Sequence, residues 1–243
     1  MALSFVGGDA GGINNGSNVT LTLPAGIASG DVVYVGHSIG SDADETLALG
    51  TSGYTQLINP DIYSDDTLMD QSFTCYRKIM GGTPDSTVQC NGNGVTADAT
   101  AATFHCWSGA DQTTPEDNTT VSASGIDSTI PNPGEIETVT PNAVVVIFGC
   151  GGVVDTAVTA PTGYENQSVA AGNDTNDTTH AVASKLIASP TAENPAAWTN
   201  WATGSDRSWA AATVAIRPAA EGGGGSILLQ MLQHTHCLGG AYA

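Results

Sequence analysis

The chain has 243 residues, of which 24 are acidic and only 5 are Lys or Arg, so its formal net charge is −19. A surface with this excess of negative charge repels phosphate backbones and anionic lipids, and we therefore expect neither nucleic acid nor a membrane as a partner. The shortage of Lys and Arg also disfavours surface helices, which normally carry long charged side chains.

Residues 1–8 lack both a basic region and a continuous apolar segment, so they predict no secretory signal. We therefore expect synthesis in a cytoplasm, and we interpret the five cysteines as buried thiols. A disulfide among Cys75, Cys90 and Cys106 stays open as an alternative if their strands are neighbours.

Short apolar and β-branched runs, separated by Gly and Pro, predict strands throughout the first half of the chain. Residues 19–23, Val-Thr-Leu-Thr-Leu, alternate apolar and polar side chains, as in an antiparallel strand with one wet face. The strands predicted in this half are residues 19–23, 31–38, 54–57, 71–79, 87–90 and 100–107.

The second half contains the longest apolar run ahead of the C-terminal tail, residues 142–150, Asn-Ala-Val-Val-Val-Ile-Phe-Gly-Cys. This run does not alternate with polar residues, which predicts a strand buried on both faces. The polar segment 109–133 between the halves predicts a surface crossover. The strands predicted in the second half are residues 136–139, 143–150, 164–168, 179–187, 197–199 and 208–217.

The two halves resemble each other in sequence. Residues 94–111 align with residues 204–221 without a gap at an offset of 110, and this alignment pairs Thr103 with Thr213. The same offset pairs the dipeptide Gly53-Tyr54 with Gly163-Tyr164. These matches predict an internal repeat, residues 19–108 and 130–218, and hence two similar halves of about 110 residues.

The predicted fold is all-β. We expect an antiparallel β-sandwich over residues 1–220, and a jelly-roll-like one, because a double-sheet fold made of two Greek keys accommodates such a repeat. Two small sandwiches in tandem are the alternative.

The C-terminal tail differs in composition from the rest of the chain. Residues 221–226 form a Gly-rich flexible linker, and residues 227–243 predict a docking tail that begins as a short helix. Burying five apolar side chains gains roughly 7–15 kcal/mol at most, whereas ordering about ten residues costs on the order of 15 kcal/mol. The tail therefore needs a receiving groove, on another chain or on its own sandwich. The predicted partner-docking residues are Ile227, Leu228, Leu229, Met231 and Leu232.

The sequence carries no motif of a known catalytic or cofactor-binding loop, and we predict neither an enzyme nor a cofactor. The nearest approach to a metal cluster is His234, His236 and Cys237, which falls one ligand short of a tetrahedral zinc site. We predict no metal there and interpret the three residues as the polar end of the docking helix.

Trp198, Trp201 and Trp209 form the one aromatic concentration in the sequence. On an exposed face they would stack on sugar rings, which makes them the candidate glycan-binding residues. In the core they would be packing anchors instead.

Three stretches carry a resemblance to known proteins: residues 19–33 (VTLTLPAGIASGDVV), residues 160–164 (APTGY) and residues 209–218 (WAAATVAIRP). Together they resemble a group of largely uncharacterised bacteriophage and prophage proteins, over residues 1 to about 220. The resemblance implies a β-sandwich virion protein that is displayed on the capsid or attached to the tail. It supplies no catalytic residues.

We therefore expect a structural bacteriophage virion protein that decorates the capsid or attaches to the head, and that is anchored through its C-terminal tail. The expected partners are other virion proteins, of capsid or tail, and further copies of the chain in a homo-oligomer. The alternative is a carbohydrate-binding module of a tail fibre or receptor-binding protein, which recognises a host surface glycan. Either function places the protein on the virion surface, after synthesis in the host cytoplasm.

Overall fold

The computed structural model describes residues 2–58, 62–64, 70–126, 128, 130–202 and 207–220. Within these ranges the fold is all-β, contains no helix, and so has none that could cross a membrane. The all-β prediction is confirmed. The predicted docking tail, residues 227–243, lies outside the described residues.

The strands of the described chain vary from two to ten residues in length. They are β1 (Ser4–Ile13), β2 (Val19–Thr22), β3 (Val32–Ser41), β4 (Thr55–Gln56), β5 (Ile62–Ser64), β6 (Asp70–Ile79), β7 (Thr87–Cys90), β8 (Ala99–Ser108), β9 (Val121–Gly125), β10 (Ile136–Glu137), β11 (Ala143–Gly151), β12 (Glu165–Gly172), β13 (Thr178–Ile187), β14 (Ala192–Glu193) and β15 (Trp209–Ile216).

These strands form two large and two small sheets, and every pairing between named strands is antiparallel. The first large sheet has the order β1-β8-β3-β6-β4, with β5 also paired to β6. The second has the order β12-β13-β11-β15-β9. The small sheets are β2-β7 and β10-β14.

The two large sheets face each other across a shared apolar core. Val32 and Tyr34 of β3 and Val146 and Phe148 of β11 all belong to this inner core, and none of them is more than marginally exposed. Strands of opposite sheets, such as β8 and β13, are in direct contact. The antiparallel double-sheet arrangement therefore buries one face of each large sheet against the other.

The outer face of each large sheet is covered as well. Val33 and Val35 of β3 pack with Leu21 of β2 under the small sheet β2-β7, while Val145 and Ile147 of β11 pack with Ile136 of β10. Since successive side chains of a strand point to opposite faces, β3 and β11 are buried on both. This confirms the prediction made for the apolar run 142–150, whose strand is buried along its whole length.

The connectivity differs from the jelly-roll expectation. In a jelly roll the chain passes between the two sheets repeatedly, so each sheet mixes strands from both halves. Here every strand of the first large sheet lies between residues 4 and 108, and every strand of the second lies between residues 121 and 216. Each half forms its own large sheet, and the crossover 109–120 connects the two.

The strands of the two large sheets are arranged in equivalent order. Starting from the edge strand that pairs with the last long strand of each half, the first sheet reads β1-β8-β3-β6-β4 and the second reads β9-β15-β11-β13-β12. The small sheets correspond in the same way, β2-β7 with β10-β14. Across the interface β1 contacts β12 and β6 contacts β15, so the sheets are related as by a two-fold axis near β3 and β11.

The halves also share an arrangement of four residues, one copy in each half. A glycine with positive φ precedes a tyrosine, and a lysine lies over the tyrosine ring while it pairs with an acidic side chain. The ammonium-to-centroid distances are 5.2 and 5.7 Å, and the ion pairs measure 2.6 and 2.8 Å. The members are Gly53, Tyr54, Lys78 and Asp85 in the first half, and Gly163, Tyr164, Lys185 and Glu193 in the second.

The gap-free offset of 110 does not describe the register of the last strands. Thr103 points into the inner core, where its hydroxyl contacts His180, whereas the Thr213 hydroxyl donates to the Gly134 carbonyl on the outer side. Ala212, and not Thr213, occupies the inner position equivalent to Thr103. A shift of one residue moves a side chain to the other face of a sheet, so the sequence identities at this offset do not mark equivalent sites.

The buried carboxylate of Asp117 helps to hold the crossover between the halves in place. Asp117 accepts hydrogen bonds from the backbone N–H groups of Val139 and Thr140 at 2.6 and 3.0 Å, and from the guanidinium of Arg217 at 3.2 Å. It therefore ties the crossover both to the end of β15 and to the segment that leads into β11.

We expect Asp117→Asn to lower the free energy of unfolding by about 2 kcal/mol, because an amide nitrogen placed there leaves buried N–H donors without an acceptor. Urea titration of the two proteins measures the difference. The exposed acid Glu137, changed to Gln, alters the net charge equally and should leave stability almost unchanged. Equal losses in the two variants would show that only the charge matters.

Candidate functional site

A concavity with a partly apolar lining lies between the two large sheets, at one end of the sandwich. We call it the first cleft, and its volume is about 460 Å³, within the range of ligand-binding pockets. The starts of β1 and β11, the end of β8, the start of β12 and the end of β13 surround it. Its lining residues are Leu3, Phe5, Trp107, Val144, Gly163, Glu165, Asn166, Ser184, Lys185 and Leu186.

A β-bulge shapes the polar wall of the first cleft. The pairing of β12 with β13 shifts register between Glu165 and Ser168, and Asn166 within this bulge has a φ of 56°, which asparagine tolerates better than most residues. The Asn166 amide donates to the Ser184 hydroxyl at 3.1 Å, and that hydroxyl contacts the Glu165 carbonyl at 3.4 Å. The wall is thus internally hydrogen-bonded and fixed in shape.

Aromatic side chains form the opposite wall. Phe5 meets the rings of His105 and Trp107 edge-on, at centroid distances of 5.0 and 5.2 Å. The Asn166 carbonyl accepts a hydrogen bond of 2.8 Å from Nε2 of His105, which places the imidazole proton on that nitrogen. Burial lowers the pKa of His105 to about 4, so the ring is neutral and serves to join the two sheets.

A second cleft occupies the equivalent place on the other half, with a volume of about 440 Å³. Strand pairing shows which residues of the two clefts are equivalent. Glu116, which pairs with Ile216, corresponds to Phe5, which pairs with Trp107. Arg77, which pairs with Tyr34, corresponds to Ser184, which pairs with Val146. In the second cleft Arg77 and Glu116 form an ion pair at 3.5 Å, and Glu116 also accepts a hydrogen bond from Tyr34. The second cleft therefore carries charged side chains at the two positions where the first cleft carries the uncharged Phe5 and Ser184.

The first cleft has one cationic side chain in its lining and an exposed apolar rim. Its one cation, Lys185, is committed to Glu193 through contacts of 2.8 and 2.9 Å. At the rim Leu186 is 61% exposed, which is unusual for a leucine in a sheet. An apolar floor, a fixed polar wall and an exposed rim leucine together suit a partly apolar ligand.

The three tryptophans do not form an exposed platform. Trp198 and Trp201 are 1% and 4% exposed and pack edge-on at 6.1 Å within the outer core of the second half. Trp209 is partly buried, with its indole against the backbone of Gly125. Exposure of all three rings on a concave face would favour glycan binding, and burial of all three would count against it. Trp198 and Trp201 are buried and Trp209 is partly exposed, so glycan binding at these residues stays a prediction.

The remaining predicted residues lie outside the described ranges. These are the docking residues Ile227, Leu228, Leu229, Met231 and Leu232, and the histidine–cysteine group His234, His236 and Cys237. Among the residues that the structure does describe, no group of three or more His, Cys, Asp or Glu side chains is arranged to hold a metal ion.

The cysteines of the described chain are free and buried, as predicted for buried thiols. Burial raises the pKa of Cys106 and of Cys150 to about 12, and it raises the pKa of Cys75 and Cys90 further. None of these four thiols is therefore a nucleophile near neutral pH.

Sequence patterns do not reveal the first cleft. Phe5 belongs to a glycine-rich stretch, and Asn166 and Ser184 are ordinary polar residues in predicted strands. What brings them together is the register of β12 on β13 and the packing of one sheet on the other, and neither is a local property of the sequence. The tendency of asparagine toward positive φ is the one local signal, and it marks Asn166 only as a candidate turn or bulge.

No protein-family model, curated protein or solved structure is significantly similar to this chain.

Proposed function

We propose that the chain is a structural protein of a bacteriophage virion, displayed on the particle surface as a capsid-decorating or head-attached component. It attaches to neighbouring virion proteins through its C-terminal tail and acts with further copies of itself. The observation that carries this proposal is the burial of the reactive side chains. The three described histidines are fully buried, and so are the four described cysteines.

Burial leaves these groups unfit for exchange of protons with a substrate. It lowers the pKa of His37 and of His180 to about 3, so both rings are neutral at physiological pH. A rigid body of this kind is suited to filling space and holding shape rather than to acid–base catalysis.

The surface charge supports the same function. A net charge of −19 keeps many copies soluble at high local concentration and prevents adhesion to the nucleic acid inside a particle. The covered outer faces of both large sheets also leave little apolar surface on the body of the protein. Attachment would then depend on a separate segment, and residues 227–232 are the uncharged apolar candidate.

The test is truncation after Glu221. We expect a soluble, folded protein that no longer incorporates into virions, as measured by the number of copies per purified particle. A second variant that keeps the tail length but replaces residues 227–232 with Gly and Ser should behave like the truncation. Incorporation of either variant at full occupancy would overturn the role of the tail, and unfolding of the truncated protein would show that the tail belongs to the core.

A further inference from the structure

We propose that the first cleft binds the chain's own tail, residues 227–232, in the free protein. The inference goes beyond attachment to a particle: it gives the apolar tail a resting place before assembly, and it holds or fails whatever the tail contacts on a virion.

The described chain ends beside this cleft. The backbone N–H of Ala219 donates to the Gly109 carbonyl at 2.8 Å. Gly109 in turn lies against the two residues that precede β1: a Cβ built on it would be 2.4 Å from the Ala2 carbonyl oxygen and 3.6 Å from Cα of Leu3. Leu3 lines the first cleft, so the described chain ends near the rim of this cleft.

The linker has the length to reach the cleft. Residues 221–226 are six, four of them glycine, and a flexible chain of this composition has a root-mean-square span of about 13 Å. A segment tethered by so short a linker has an effective concentration in the millimolar range at the site beside it. Its own cleft therefore receives the tail far more readily than an identical cleft on a second molecule does in dilute solution.

The chemistry of the two partners matches. From Ser226 to Ala243 the chain carries no Asp, Glu, Lys or Arg, so the negative surface does not repel it. The cleft offers the partly buried side chains of Leu3 and Phe5 and the exposed Leu186 to the apolar face of the tail. Burial of this apolar surface on docking offsets the entropy cost of ordering the tail.

The choice between the two clefts follows from their linings. The second cleft contains the Arg77–Glu116 ion pair where the first contains Ser184 and Phe5. An uncharged apolar segment inserted there would separate charges from water without replacing their contacts, which is costly. The tail therefore selects the first cleft.

Cys237 allows the proposal to be tested on the full chain. Because the four described cysteines are buried and their pKa values are raised, a nitroxide reagent at neutral pH should modify Cys237. Paramagnetic broadening of backbone amide signals then reports what the tail approaches. We expect strong broadening at residues 3–5 and 184–186, and none at residues 113–120 of the second cleft.

A pair of matched variants provides the control. Leu186→Glu places a carboxylate at the rim of the first cleft and should abolish the broadening there, since burying an unpaired charge costs several kcal/mol. Thr119→Glu adds the same charge to an exposed residue of the second cleft and should leave the broadening unchanged. Both side chains are exposed, so neither substitution threatens the fold.

Three results would overturn the proposal. The first is broadening that is spread evenly over the surface, and the second is broadening at the first cleft that persists in Leu186→Glu. The third comes from a mixture of isotope-labelled, unmodified chains with unlabelled, nitroxide-modified chains: broadening of the labelled signals in this mixture. The last result would assign the tail to a second copy. Loss of virion incorporation on truncation is independent of all three, so the two proposals fail separately.

Discussion

Acidification from pH 7 to pH 5.5 should lower the free energy of unfolding by about 4 kcal/mol, because three buried histidines stay neutral in the folded chain. His37, His105 and His180 are fully buried, and burial lowers their pKa values to about 3, 4 and 3. In the unfolded chain each takes up a proton as the pH falls through about 6.5. The unfolded state then binds more protons than the folded state, so stability is lost as the pH falls from about 6.5 toward 4.

Urea titrations at half-unit pH steps measure this loss. Carboxyl groups in model peptides titrate near pH 4, below this window. Burial raises the pKa of Asp177, which opposes the trend by one proton at most. His37→Leu should remove about a third of the pH dependence, because leucine takes up no proton in either state. A pH dependence that is the same in this variant as in the parent would contradict the assignment.

Replacement of Gly36 by Ala should destabilise the protein by about 3 kcal/mol or more, since it overpacks the centre of the interface between the large sheets. A Cβ at this position would lie 2.5 Å from Cε1 of His180 and 2.6 Å from Cδ1 of Phe148. Both rings are fully buried, so neither can swing into solvent to make room. The sheets would have to separate or the rings to leave their rotamers.

Thermal and urea unfolding of Gly36→Ala and of Gly26→Ala measure this effect. A Cβ at Gly26 meets nothing within 4 Å, so this control should be neutral or slightly stabilising. The double variant with Phe148→Leu should recover part of the loss, because a smaller side chain opens the space that the new methyl group needs. Full stability of Gly36→Ala would mean that the sheets do not pack as closely as described.

Local sequence patterns predicted those strands in which apolar and polar residues follow the pattern of burial. The alternating run at residues 19–23 became β2, with Val19 and Leu21 buried and the threonines between them exposed, and the apolar run at 142–150 became β11. The prediction at residues 87–90 matches β7 at both ends. In each case the pattern of side chains records which faces are covered.

Other elements depend on distant contacts. β1 was missed because Ser4–Ile13 contains four glycines, which disfavour strands in isolation. In the folded chain some of these glycines are required: a Cβ at Gly12 would be 2.2 Å from the Ala171 carbonyl of the facing sheet. β9 was missed because Val121–Gly125 lies in a polar stretch and pairs only at the sheet edge.

The predicted strand at residues 197–199 was wrong. Within that segment Thr199 forms only an isolated bridge with Thr159, and the nearest strand is β14, Ala192–Glu193, which pairs with β10. Trp198 turns into the core beside Pro131 and Gly149. A tryptophan-rich stretch is compatible with a strand or with a binding surface. The sequence alone does not indicate which other part of the chain packs over the tryptophans. The same limit applies to the first cleft, whose walls come from opposite ends of the chain.

The fit of Gly36 against Phe148 also determines how the halves recognise each other. The two residues stand at equivalent places in β3 and β11, four residues beyond Val32 and Val144, which pair with Trp107 and Ile216 respectively. Two first halves placed face to face would set glycine opposite glycine and leave a void, and two second halves would force two phenylalanines into one space. Only the mixed pair fills the interface. If chains exchange halves by opening at the crossover, the products must therefore be swapped dimers or longer rings that join unlike halves, and never like with like.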